Sequence, residues 1–251
     1  MNFMALFTRN KKQNDPQFHN EDIATHGGYQ YAVSEKFSSL HANSRLSETV
    51  LSAFDYSGKK VIDIGCGDGK YTEEIYRRFK PAEIVGVDPA GEAVKLASDR
   101  YAVPGVRFRE ASIYALPFPD GYFDIAVVRG VTHHLDRPLE GMKEAVRVSK
   151  NIVLTDPNGY NPGCKIIEKI SPYHRTHKEM SYFPFQYNRW LREAGATVTK
   201  DYYILLVPMF FPEVPARFLA RFESFFEQRK YLSRFFCGTH VRIAANNKYK
   251  N

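Results

Sequence analysis

The sequence predicts an α/β fold on a mostly parallel sheet, and three observations predict it. Short apolar runs that suit strands covered on both faces alternate with stretches of helical spacing, the pattern of repeated strand–helix–strand units. One such run, Val61-Ile62-Asp63-Ile64, ends in a turn punctuated by Gly65, Gly67 and Gly69 and opens onto a helix. The next run ends in an acid, Asp88, about twenty residues beyond the glycines.

Taken in order, residues 13–57 lead to the first strand, and Leu40, Leu46, Val50, Leu51 and Phe54 give a helix there a buried face. A helix follows the glycine turn over Thr72–Phe79 and is broken by Pro81. Glu83–Asp88 is the second strand, Gly91–Arg100 a helix, Val106–Arg109 the third strand and Asp124–Val128 the fourth. Glu140–Val148 reads as a helix and Asn151–Thr155 as the fifth strand. Asn188–Ala194 is a helix stopped by Gly195, followed by strands at Ala196–Val207 and His240–Ala245.

Between those last strands, Val214–Phe236 interleaves aromatic and basic residues, with Phe218, Phe222 and Phe225 on one helical face. It reads as a long helix packed on the domain or on a second copy in a homodimer. The alternative is a basic amphipathic segment making peripheral membrane contact through 214–236 and approaching a lipid-borne substrate.

The chain has 251 residues and a formal charge of +7, enough for one α/β domain with insertions. Its cations are dispersed with no run of five or six, so charge alone does not argue for a nucleic-acid partner. Cys66, Cys164 and Cys237 have no paired spacing, which suits a reducing, cytoplasmic compartment. The N-terminal patch Phe3–Phe7 precedes its cations, the reverse of a secretory signal, and the apolar run Tyr203–Phe211 is too short to span a bilayer. His174 and His177 lack a third ligand, so no metal is expected.

Three ligands compete for the glycine turn. A phosphate loop needs a hydroxyl residue after Gly69-Lys70, and Tyr71 stands there. A dinucleotide fingerprint needs a third glycine at position 70, which is lysine. The remaining reading is a nucleoside joined to an amino acid, without pyrophosphate.

Val61 to Gly69, in the form D-x-G-x-G-x-G, resembles the first motif of class I S-adenosylmethionine-dependent methyltransferases, and Leu116-Pro117-Phe118 with Asp120, Phe123 and Asp124 resembles a segment of their small-molecule, type 11-like branch. That resemblance implies a Rossmann-like, doubly wound, mostly parallel seven-stranded sheet with an antiparallel last strand and helical cap insertions. It implies an N-terminal helical cap over 1–56 and a methyltransferase domain over 57–251, with insertions at 157–184 and 208–238.

It also implies S-adenosylmethionine as cofactor, with Asp63, Gly65, Cys66 and Gly67 around its methionine part and Asp88 and Pro89 beside its ribose. Ser112 and Ile113 stand at the adenine, Ser112 where the family commonly has aspartate. Tyr31 or Arg45 from the N-terminal segment, and Arg129, complete the set. His133 and His134 follow the fourth strand, at the sheet edge where ligands of open parallel sheets bind, and Asp156 shares that edge. The expected activity is methyl transfer to a small-molecule acceptor. O-methylation of a sugar, secondary metabolite or glycan precursor leads, with a histidine removing the proton. The alternatives are C- or N-methylation of a quinone precursor, lipid or RNA, and a cofactor-binding protein without turnover.

Overall fold

A computed structural model of the chain describes residues 34–171 and 180–249. Tyr31, His174 and His177 lie outside them. Seven strands form one sheet: β1 (Lys60–Ile64), β2 (Glu83–Asp88), β3 (Val106–Glu110), β4 (Phe123–Arg129), β5 (Ser149–Pro157), β6 (Ala196–Ile204) and β7 (Thr239–Asn246). Their spatial order is β3-β2-β1-β4-β5-β7-β6, and only β7 runs against its neighbours. Strand order reverses between β1 and β4, which places a ligand crevice at their carboxyl ends.

Helices cover both faces: α1 (Phe37–Leu51), α2 (Lys70–Phe79), α3 (Gly91–Tyr101), α4 (Pro138–Val148), α5 (Pro162–Ile170) and α6 (Pro184–Glu193). The two sides of β1 alternate between two cores. Ile62 and Ile64 join Val128, Met142 and Leu154 on one side, while Val61 packs with Val50, Ile75 and Ile125 on the other. Each such side chain withdrawn from water contributes about 1.5–3 kcal/mol, and this double burial explains why the strands read as unbroken apolar runs.

Three expectations change. The strand predicted to reach Val207 stops at Ile204, because Leu205 adopts φ +68° and turns the chain away. Leu40 is exposed, whereas Leu46, Val50 and Leu51 are buried as expected. The single helix expected over 214–236 is three short ones: α7 (Glu213–Ala220), α8 (Glu223–Glu227) and α9 (Lys230–Phe236).

Candidate active site

The glycine turn is built by three left-handed residues, Gly65, Gly67 and Gly69, at φ +77°, +55° and +80°. Gly65 and Cys66 both donate their amides to the Val87 carbonyl, so the turn is tied to β2. A methyl group on Gly69 would lie 2.7 Å from Ala97 Cβ and 2.9 Å from the Phe108 ring. Gly69 therefore supplies the close helix-on-strand approach that the lysine at position 70 had seemed to preclude. A methyl on Gly65 would meet Val131 Cγ2 at 2.3 Å, which brings the turn after β4 directly against the glycine loop.

Two carboxylates stand at neighbouring strand tips. Asp63 is 4% exposed and accepts a hydrogen bond from Thr72 Oγ1 at 2.5 Å. Burial pushes its pKa up to about 6, against the opposing effects of Thr72 and Arg129. Asp88 accepts the amides of Gly67 at 3.0 Å and Ala90 at 2.9 Å. Burial again lifts it to about 6, and the nearby Asp63 adds to the rise. A cation or a set of hydroxyl donors placed beside such a pair would draw it back toward the usual carboxylate range.

The Cys66 thiol is buried against Gly86, and burial raises its pKa well above the ordinary thiol value. Only its backbone is left to serve a ligand. Ile113 likewise commits its side chain to the core, against Leu135 and Met142. Ser112 is exposed and its hydroxyl accepts the Tyr114 amide at 3.3 Å; Pro89 is half-buried directly after Asp88.

Arg45 departs from its expected place. It pairs with Glu227 and approaches Glu223 at 3.6 Å, locking α1 to α8. The face of α1 that meets Tyr71 and Arg129 is the opposite one, carrying Asn43 and Ser47, because two residues advance a helix by about 200°. Asn43 Oδ1 accepts from Tyr71 Oη at 2.8 Å. Arg129 lies over the Tyr71 ring at 3.4 Å and donates to Ser47 Oγ at 3.0 Å and to Asn43 Oδ1 at 3.3 Å. Asn43, Ser47, Tyr71 and Thr72 are thus part of the site's frame, and none was singled out by the motifs. The spacing of Asn43 and Ser47, two polar residues four apart in a mostly buried helix, was the signal available.

Beyond β4, a short 3-10 turn, Thr132–His134, follows. Asp156, 1% exposed near the end of β5, accepts the backbone amides of Thr132 and His133, each at 3.2 Å, and His133 Nδ1 at 2.6 Å. A carboxylate on Nδ1 fixes that nitrogen as the protonated one and makes Nε2 the basic atom. The His134 ring lies 3.9 Å from that of His133 at 39°. His240, paired in register with Asp156, is fully buried, and burial, Arg242 and His133 hold its pKa well below the ordinary histidine value.

Residues 62–152 match the family described as Methyltransferase domain. This central stretch of the chain is thus similar to a methyltransferase domain. The domain is 33% identical over 121 residues to an uncharacterized methyltransferase of Schizosaccharomyces pombe, covering 45% of this chain and 41% of that protein. It is 29% identical over 128 residues to the fatty-acid O-methyltransferase of Mycolicibacterium smegmatis, covering 51% and 46%. The matches therefore span less than half the length of these curated relatives.

In fold, the chain resembles the crystal structure of the cyclase SpnF, with a TM-score of 0.71 at 18% identity over 94% of this chain and 97% of that one. It also resembles the geranyl diphosphate C-methyltransferase of Streptomyces coelicolor A3(2), solved with S-adenosyl-L-homocysteine, with a TM-score of 0.62 at 17% identity over 83% and 81%. One architecture thus bears the names of a cyclase and a methyltransferase, so the reaction has to be argued from the site. Among the described residues no group of three metal-ligating side chains occurs, and no helix is long and apolar enough to cross a membrane.

Proposed function

We propose that this chain transfers a methyl group from S-adenosylmethionine to a hydroxyl oxygen of a small acceptor with an apolar body. The observation that carries the reading is the His133–Asp156 pair at 2.6 Å, connected to the glycine loop through the contact of Val131 with Gly65. When bound, S-adenosylmethionine supplies an electrophilic methyl on a sulfonium. The chain's own residues then have three tasks: holding the donor, aligning the acceptor and removing one proton.

Asp63, Asp88 and the glycine-loop backbone are the donor's holders in this reading, with Arg129 stabilising the loop through Tyr71 and α1. His133 takes the acceptor's hydroxyl proton on Nε2 as oxygen attacks the methyl carbon. Asp156 keeps the ring in the tautomer that makes this possible and stabilises the imidazolium that results. His134, its ring tilted at 39° against that of His133, limits the ring's rotation. The names of the relatives, a fatty-acid O-methyltransferase and a geranyl diphosphate C-methyltransferase, favour an acyl or prenyl body over a sugar.

The test is incubation with isotopically labelled S-adenosylmethionine and a panel of long-chain alcohols, hydroxylated lipids and sugars, with products read by mass spectrometry. Labelled methyl ethers from the apolar alcohols, lost in His133→Ala with cofactor affinity retained, are the expected result. Transfer to carbon or nitrogen, or an unchanged rate in His133→Ala, would overturn the O-methylation reading.

A further inference from the structure

Among the described residues, fifteen large apolar side chains stay exposed, and thirteen of them lie between residues 166 and 236. The densest group is on α7, α8 and α9. Phe218, Phe222, Phe225, Tyr231, Phe235 and Phe236 are 43–75% exposed there. They are joined by ring contacts, Phe218 to Phe222 at 5.2 Å and Phe226 to both Phe225 and Phe236 at 5.7 and 5.4 Å. Isolated exposed apolar residues need no explanation, but a contiguous aromatic sector does.

Charge is sorted across these three helices. Glu223 is 4% exposed and points inward, meeting His41 at 2.6 Å and the Leu206 amide at 2.8 Å. Glu227 also turns in, toward Arg45 and the Leu205 amide. Arg217, Arg221, Arg229 and Lys230 are exposed. The outward face is therefore aromatic and cationic, its acids consumed by the attachment to α1, with Glu213 beside Arg217 the exception. Arg229 lies over the Phe225 ring at 3.5 Å, an arrangement that keeps a cation and an apolar surface together at one depth.

The sector also adjoins the cleft. Asn158, two residues beyond Asp156 and fully buried, donates to the carbonyls of Arg234 and Cys237 at 2.8 Å each. Asn161 donates to the Phe236 carbonyl at 2.9 Å. The end of β5 that carries the acceptor-side carboxylate thus holds α9 in place.

We infer that α7–α9 form a docking surface for an anionic lipid bilayer, aromatic rings entering the interface and Arg221, Arg229 and Lys230 meeting the headgroups, while Arg217 is taken by Glu213 and the Phe37 ring. This deepens the proposed function, since a membrane-held chain receives a lipid-borne acceptor at the cleft without carrying it through water. A second protein copy would cover the aromatic rings, but it would bring two cationic faces together with Glu213, already paired with Arg217, as the one exposed acid on each. An anionic bilayer meets both components.

The experiment is co-sedimentation of the full chain with vesicles of phosphatidylcholine alone or with phosphatidylserine, at low and high salt, beside calorimetric titration with S-adenosylmethionine. The wild-type chain is expected to partition onto the phosphatidylserine vesicles at low salt and to be released at high salt. Arg221→Glu combined with Lys230→Glu should lower that partitioning at least about tenfold, and Phe222→Ser with Phe225→Ser should also release the protein, cofactor affinity unchanged in both. Failure of the wild type to bind phosphatidylserine vesicles, undiminished binding by both variants, or a dimer in size-exclusion chromatography that the phenylalanine variant dissociates would each overturn the inference. None of these outcomes depends on methyl transfer, so the two proposals fail separately.

Discussion

Ile152 on β5 and Phe222 between α7 and α8 are both large apolar side chains, yet the first is 1% exposed and the second 43%. The same contrast runs through the whole molecule. In the sheet, apolar residues are spent on packing and the buried acids Asp63, Asp88 and Asp156 stand toward the carboxyl ends of their strands. In the segment 213–236 the polar groups Glu223 and Glu227 do the fastening, with Asn158 holding it from β5, and most of the large apolar residues are left outside. The difference teaches that an apolar pattern states a periodicity and nothing about which partner covers it.

The comparison can be broken at several points. The largest effect is expected at the polar edge of the sheet: His133→Ala should lower kcat by about 10²–10⁴-fold with little change in cofactor Kd, read from initial rates and calorimetry. Next comes packing. Ile152→Ala should destabilise the fold by about 2–5 kcal/mol in urea unfolding, whereas Phe222→Ser should stay within about 0.5 kcal/mol. Equal losses would mean that the cap aromatics are covered after all.

A smaller effect is expected where the cap is fastened. Arg45→Ala leaves Glu223 and Glu227 facing each other without their cation, but Arg45 is partly exposed, so the cost should be about 1 kcal/mol. It should appear as faster proteolysis within 205–236 and leave cofactor affinity intact. A large loss of cofactor affinity would restore the expected role of Arg45 in holding the donor.

The sheet was legible in the sequence because each doubly covered strand needs a continuous apolar run and each crossover needs its glycine or proline stop. Six of the seven strands fall where those signals stand, and only the sixth was drawn too long, since nothing local announces the left-handed Leu205. Asp63, Asp88 and the glycines stood out as candidate site residues for the same reason: an acid at the end of an apolar run has no packing purpose. The pairing of His133 with Asp156 was legible only as a shared sheet edge; that Nδ1 is the bound nitrogen required coordinates.

Arg45 was misplaced because a helix offers two polar faces and the spacing does not say which one meets the loop. The long helix over 214–236 failed for a related reason. No glycine or proline interrupts Ala216–Phe236, so its two breaks are set by tertiary contacts, chiefly those that draw Glu223 and Glu227 inward. Ser112 was noted for departing from the family's aspartate, and the structure leaves it exposed, with Ile113 taken by the core.

The central claim is that buried carboxylates beside a glycine turn seat a cationic nucleoside. Burial raises Asp63 and Asp88 to about 6, so the folded chain binds protons there more readily than the unfolded chain does. Their contribution to stability without cofactor therefore falls as pH rises from about 4 to 6, while affinity for the cation rises over the same window. Titrating S-adenosylmethionine into the chain by calorimetry at pH 7.5 and pH 5 tests this directly. Binding at pH 7.5 that weakens about tenfold or more at pH 5 is the predicted result; no binding at pH 7.5, or the same affinity at both, would contradict it.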